Sequence, residues 1–332
     1  MTDKLLWSKG GRLFLSRVAD RYYVVKVILD MDPGIDDALA IMLAVNSSEL
    51  EILGITTVSG NVHVDKTSIN ALRVLNLLGA QGIPVYRGAG KPLVRELTTA
   101  EWVHGEDGLG DAGIPMPGRQ ALNGAVSFLA ETLESERDVT LVTTGPLTNV
   151  ALALALYPQL AHHIRRMILM GGAYGLTQYG YGNTTPVSEF NIYVDPEAAK
   201  IVFESGVRPL CVGLDITTDP TTTLKKRDWE RLANSSSATA RAASKIIEKF
   251  VARFGFMQLH DPMAVAAAIN PSLFRSDMYH VYVVCEGEMT RGQTVIERRF
   301  WVKKEPNAEV CHGVNGTGFL KLFFDRIGVL DD

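Results

Sequence analysis

The chain has 332 residues, 46% of them apolar and 21% charged, and a net charge of −4. That is enough for a large core, built either as one extended α/β domain or as two smaller ones. The mild acidity and the lack of a basic stripe argue against nucleic acid as a partner, and no apolar run approaches the length needed to span a bilayer.

Residues 1–22 carry Asp3, Lys4, Lys9, Arg12, Arg17, Asp20 and Arg21 among scattered apolar positions. With no continuous hydrophobic segment and no small-residue cleavage site, they read as a peripheral extension and not as a signal peptide. Residues 23–332 then form one α/β domain. Residues 24–29 are an apolar run that reads as a buried strand, and residues 38–43 read as the helix leaving the turn after it. A strand over 50–58 and a helix over 62–78 follow. Next come a short strand over 83–86 and a Gly-rich stretch over 88–118. Helices over 121–135, 147–156 and 196–204 alternate with strands over 139–143, 167–170 and 208–214. This alternation predicts a mostly parallel, Rossmann-like central sheet flanked by helices. Residues 171–191 have little periodicity and are too long for a casual connection, which marks a functional loop. Residues 224–256 turn helical. Strands over 281–285 and 295–302 are expected to pair as an antiparallel hairpin at a C-terminal edge of the sheet. Three widely spaced cysteines, Cys211, Cys285 and Cys311, form no CxxC pair and read as reduced core thiols of a cytoplasmic protein.

The first turn is the most informative segment. Asp30-Met31-Asp32-Pro33-Gly34-Ile35-Asp36-Asp37 places four carboxylates between a core strand and a helix. An Asp, Pro and Gly turn is ordinary, and acidic residues in a first helical turn complement the helix dipole. Asp32 is harder to explain so, because it sits at the sheet edge from which α/β proteins bind ligands. Crowded carboxylates call for a positive partner, and a hard divalent cation with oxygen ligands suits them. Asp30, inside the strand, reads as a supporting residue. Polar residues recur after other strands: Ser59-Gly60-Asn61, Thr143-Thr144-Gly145-Pro146, Met170-Gly171-Gly172 and Asp215. In a parallel sheet these ends converge on one edge. His260-Asp261-Pro262 reads as a helix start, with Asp261 as cap and Pro262 at the first helical position. Beside an acidic turn, Asp261 also reads as a third carboxylate ligand and His260 as a proton-transfer group.

Two tempting motifs fail. Residues 87–92 resemble the end of a P-loop, but Val85 stands where the first Gly belongs and Pro92 where Ser or Thr would hold magnesium. Residues 171–175 lack the GxGxxG spacing of a dinucleotide site.

The turn closely resembles the DxDPGxDD signature of the inosine–uridine preferring nucleoside hydrolases. The resemblance continues, in family order, through Thr56-Thr57-Val58-Ser59-Gly60-Asn61, His104-Gly105-Glu106-Asp107-Gly108-Leu109-Gly110 and Thr144-Gly145-Pro146-Leu147-Thr148-Asn149. It then runs through Met170-Gly171-Gly172, Gly182-Asn183, Glu189-Phe190-Asn191-Ile192-Tyr193-Val194-Asp195-Pro196 and His260-Asp261-Pro262. It implies a calcium-dependent hydrolase cleaving the N-glycosidic bond of ribonucleosides to ribose and free base. It also implies Asp32, Asp37, Asp261 and the Thr144 carbonyl as calcium ligands, with Asp32 taking the proton of a calcium-bound water. Asp36, Asn61, Met170, Asn183, Glu189 and Asn191 would hold the ribose. His104 and His260 would face the base, with His260 either protonating it or only positioning it. Uridine or cytidine, or inosine, are the expected substrates, and residues 248–256 should add base contacts. A homodimer or homotetramer is the expected assembly. A nucleoside-binding protein without catalysis, or a hydrolase of a modified N-riboside, would use the same residues.

Overall fold

The computed structural model describes residues 24–329, so the extension expected over residues 1–22 lies outside the described residues. The first strand, β1 (Val25–Met31), is buried from Val27 onward. Its side chains alternate: Val27, Leu29 and Met31 enter one apolar core, and Ile28 enters the other. A strand covered by helices on both faces needs apolar residues at successive positions, and this run supplies them.

Eight more strands join β1 in one sheet: β2 (Leu50–Thr57), β3 (Val85–Arg87), β4 (Leu122–Asn123), β5 (Thr140–Thr143), β6 (Arg166–Met170), β7 (Leu210–Val212), and two later ones. Before those, β8 (Leu224–Lys225) and β9 (Phe256–Met257) form a small antiparallel ribbon. β10 (Phe274–Tyr279) and β13 (Ala308–Val314) complete the large sheet, in the order β10-β13-β7-β6-β5-β1-β2-β3-β4. All neighbours are parallel except β10 and β13, which gives the C-terminal antiparallel edge.

That edge is not the hairpin expected from the sequence. Residues 281–285 and 295–302 contribute β11 (Val281–Val283) and β12 (Thr294–Ile296), which pair antiparallel in a separate two-stranded sheet. β12 stops at Ile296 because the Glu297 carboxylate turns back to accept from the Arg299 main-chain N–H and guanidinium. The helical stretch over 224–256 likewise divides. Helices Lys226–Ala233 and Ala238–Phe254 are separated where Ser237 accepts the Ala240 N–H as a cap.

The first helix, Ile35–Val45, is buried at every position through Ala44. It packs against the sheet beside the helix His260–Ile269, which itself meets β5 and β6, and against the helices Ala238–Phe254 and Gly316–Ile327. Beyond Asp36 and Asp37 the helix is apolar all round, and such a stretch is stable only when enclosed in this way. Helices Ala125–Ser135, Thr148–Leu156 and Pro196–Glu204 cover the opposite face. Among the described residues no helix is long and apolar enough to cross a membrane.

Candidate active site

The sheet order fixes where a site forms. From β1 the chain builds outward through β2, β3 and β4, then returns to lay β5 on the other side of β1. Such a switch point opens a crevice at the carboxyl ends of the two strands. Asp32 leaves β1 there and Thr144 leaves β5, and the Thr144 N–H donates to the Asp30 carbonyl at 2.9 Å. Asp30 itself points to the opposite face. Its Oδ1 accepts from Thr56 Oγ1 at 2.6 Å and Asn149 Nδ2 at 2.8 Å, and burial raises its pKa to about 6.

Asp32 is fully buried. Its Oδ2 accepts the Asn61 N–H at 2.7 Å, and its Oδ1 has no hydrogen-bond partner among the described residues. The carboxylate fits only because Gly60 has no side chain: a Cβ there would lie 2.1 Å from Oδ2. Asp37 is held more completely. Its Oδ2 accepts from the Gly34 N–H at 2.9 Å and Asn61 Nδ2 at 3.0 Å, and its Oδ1 from Thr144 Oγ1 at 2.8 Å. Gly34 is equally constrained, with a hypothetical Cβ 2.3 Å from His104 Nδ1. Asp261 enters from the first turn of the helix His260–Ile269, whose cap position is Leu259 and not Asp261.

Carboxylate oxygens of Asp36, Asp37 and Asp261 lie within 4.8 Å of one another. Asp36, expected from the resemblance to read the sugar, therefore also stands inside the acidic cluster. Its Oδ1 is buried with no hydrogen-bond partner among the described residues, and His104 Nδ1 lies 3.9 Å away. Burial lifts all four carboxyls above the usual range, and repulsion from neighbouring carboxylates adds to it for Asp32, Asp36 and Asp261. Among the described residues no lysine or arginine lines the cavity above them. An all-oxygen donor set, two orphaned carboxylate oxygens and no protein counter-charge together fit a hard divalent cation.

The cavity measures about 410 Å³, a size that suits a small metabolite. Asp36, Asn61, Thr144 and Asp261 line it, while Asp32 and Asp37 are not among its lining residues. Met170, Glu189 and Asn191 also line it. Asn191 Nδ2 donates to the carbonyls of Thr144 at 2.8 Å and Met170 at 3.2 Å, tying two strand ends together. Glu189 caps the short helix Phe190–Val194 and accepts the N–H groups of Asn191, Ile192 and Gly172. Asn183 is exposed, and its Oδ1 accepts the Phe190 N–H.

His104 and His260 line the same cavity. His104 Nδ1 accepts the Ile35 N–H at 3.1 Å, and burial with His260 nearby lowers its pKa to about 3. Burial lowers that of His260 to about 4, so both rings are neutral near pH 7. Phe250, Phe254 and Phe256 bring the expected segment to the cavity wall. Trp102, Phe190 and Gln258 line it as well and escaped the sequence reading. Trp102, 67% exposed and two residues before His104, carried the one usable signal: a large aromatic residue in a polar, Gly-rich stretch.

Comparison with known proteins fits this geometry. The profile described as inosine-uridine preferring nucleoside hydrolase matches residues 27–321. A pyrimidine-specific ribonucleoside hydrolase RihA of Shewanella sp. (strain ANA-3) is 44% identical over 313 residues, covering 91% of this chain and 96% of its own. Among solved structures, a plant nucleoside hydrolase, PpNRh1, superposes with a TM-score of 0.85 at 32% identity, over 92% of this chain and 99% of its own. A purine-preferring ribonucleoside hydrolase from Gardnerella vaginalis does so with 0.83 at 33% identity, over 91% and 98%. Each of these is named as a nucleoside or ribonucleoside hydrolase. The chain belongs to the inosine–uridine preferring nucleoside hydrolase family.

Proposed function

We propose that this protein hydrolyses the N-glycosidic bond of ribonucleosides, preferring uridine and cytidine, with calcium held by the acidic cluster. The observation that carries the reading is the cluster itself: Asp32, Asp36, Asp37 and Asp261 are buried at a nucleoside-sized cavity, with no lysine or arginine lining it among the described residues. The pyrimidine preference rests on the RihA relative, which is more similar to this chain than the purine-preferring structure is. Calcium is preferred over smaller ions because three or four carboxylates and a carbonyl make a large, loosely ordered oxygen set.

In this reading Asp32, Asp37, Asp261 and the Thr144 carbonyl hold the ion, and Asp36 borders it. When bound, the ion supplies Lewis-acid polarisation of a water and returns the carboxyls to their charged form. Asp32 Oδ1, with no protein partner, accepts the proton of the attacking water. Asp36, Asn61, Asn183, Glu189, Asn191 and the main chain at Met170 orient the ribose by hydrogen bonds to its hydroxyls. The carboxylates stabilise the positive charge that develops on the sugar as the bond to the base breaks. His104 and His260 face the base, and the aromatic wall excludes water around it.

The compartment and assembly follow the same reading: a cytoplasmic homodimer or homotetramer acting on free ribonucleosides. Three cysteines without a disulfide support the reducing compartment. Purified protein incubated with uridine, cytidine, inosine and adenosine, with and without chelator, gives the direct test. Base release from the pyrimidine nucleosides, lost with chelator and restored by calcium, is the expected result. No release from any nucleoside would sink the enzymatic reading and favour a binding protein. Light scattering on the eluting peak gives the number of subunits.

A further inference from the structure

Thr217 ends the short helix Leu214–Thr217, which follows β7, and is fully buried. Its Oγ1 lies 2.8 Å from His260 Nδ1, and that nitrogen is the only hydrogen-bond partner of the hydroxyl among the described residues. The direction of this bond follows from where each proton can go. A buried hydroxyl must place its own proton on an acceptor. If Nδ1 carried the ring proton, Thr217 Oγ1 would receive it and the hydroxyl proton would point at nothing. If Thr217 donates, Nδ1 accepts and the buried hydroxyl proton is matched, which leaves only the ring proton to face the cavity. The ring proton then resides on Nε2, on the far side of the imidazole from Thr217. Nε2 has no partner among the described residues, and His260 lines the cavity.

We propose that Thr217 is a positioning residue. By donating to Nδ1 it holds His260 as the Nε2–H tautomer and aims a fixed N–H donor at the leaving base. This rests on the hydrolase reading above and deepens it. His104 is set the same way by a different device, since the Ile35 main-chain N–H can only donate to its Nδ1. Two imidazoles lining one cavity therefore offer Nε2–H groups, and a base that suits them presents lone pairs to both. In the reaction the His260 ring keeps its proton. The electron pair of the broken C–N bond moves onto the base, and Nε2–H stabilises that charge by hydrogen bonding. The base takes its proton from solvent after release.

The test compares the full-length wild type with Thr217→Val, nearly isosteric but without a donor, and Thr217→Ser, which keeps it. Two-bond 1H–15N correlation spectra of histidine-labelled protein report the tautomer, with His260 assigned by its loss in His260→Gln. The wild type and Thr217→Ser should give the Nε2–H pattern, and Thr217→Val should give a mixture or the Nδ1–H pattern. A wild-type Nδ1–H pattern, or an unchanged pattern in Thr217→Val, overturns the proposal. In turnover, the ratio of kcat for uridine to that for 4-nitrophenyl riboside, whose leaving group needs no donor, should fall about tenfold or more in Thr217→Val. Thr217→Ser should restore it. An equal loss on both substrates, unrescued by Ser, means a merely structural role and overturns the proposal. A wild type that releases no base counts against the hydrolase reading, while the spectra still decide the role of Thr217.

Discussion

Asp261→Asn should stabilise the protein while disabling it. Oxygens of Asp36, Asp37 and Asp261 lie within 4.8 Å of one another. Two unit charges at such a separation repel by about 3 kcal/mol at an effective dielectric constant of about 20. Asp261 faces two such neighbours, and without a cation the folded protein escapes the repulsion by retaining protons. Burial and, for Asp32, Asp36 and Asp261, this repulsion raise the carboxyls, Asp36 to about 7. A carboxyl whose folded pKa exceeds its unfolded value contributes stability that is complete below about pH 4 and lost as the pH rises through the folded value. The metal-free wild type should therefore lose stability between about pH 4 and pH 8.

Replacing Asp261 by Asn keeps the shape and removes one charge. In excess chelator at about pH 8, the variant should gain about 2–4 kcal/mol, discounting the full Coulomb figure for protons already retained. At about 2 °C per kcal/mol for a domain of this size, the melting temperature rises by roughly 4–8 °C. At about pH 5 the gain should shrink, because Asp36, raised to about 7, is then largely protonated and no longer repels Asp261. Saturating calcium should reverse the order, since ligand binding stabilises only the chain that keeps its full ligand set. Differential scanning fluorimetry across pH, with chelator or calcium, reads all three conditions. A metal-free variant melting at or below the wild type at the higher pH would refute the reasoning, as would a gain of equal size at the lower pH.

Asp32→Asn should lower kcat by about 10²–10⁴-fold while ribose affinity, measured by calorimetry, stays near wild type; near-normal turnover would remove Asp32 as the base. His260→Ala should reduce turnover of uridine far more than that of 4-nitrophenyl riboside, and equal losses on both would move His260 away from the leaving group. 2′-Deoxyuridine should fall short of uridine by about 10⁴-fold in kcat/KM, because buried sugar partners are left unpaired. Comparable rates for the two would deny the sugar site its proposed role.

The central parallel sheet was legible because buried parallel strands leave an unmistakable signature: residues 24–29 are apolar on both faces save for Lys26, and only a strand between two helical layers needs that. Asp32 was legible because a carboxylate at the end of such a strand needs a reason. The pairing of β1 with β5 was not. It brings Asn149 to Asp30 across 119 residues, a contact that no local pattern encodes. The hairpin was misplaced because apolar content over 295–302 resembles a strand, whereas Phe300 and Trp301 are largely exposed and Glu297 closes a local turn with Arg299. Trp102 and Phe190 were overlooked since an aromatic residue lining a cavity follows neither the helical nor the strand period.

Glu189 and Asn191 show how support and recognition share the same side chains. Glu189 accepts three main-chain N–H groups, and Asn191 gives its amide protons to two carbonyls. Read alone, each is a fully employed structural residue. Each still has capacity left: carboxylate oxygens have further lone pairs, and Asn191 Oδ1 has no partner among the described residues. The same bonds that employ them also fix where that capacity points. Asn61 works identically, binding Asp32 and Asp37 at once. Side chains already locked by the frame lose little freedom when a sugar arrives, so the hydrogen bonds they add are gained at small entropic cost. A site assembled from widely separated segments can be rigid for this reason, since the groups that meet the substrate also tie segments to one another.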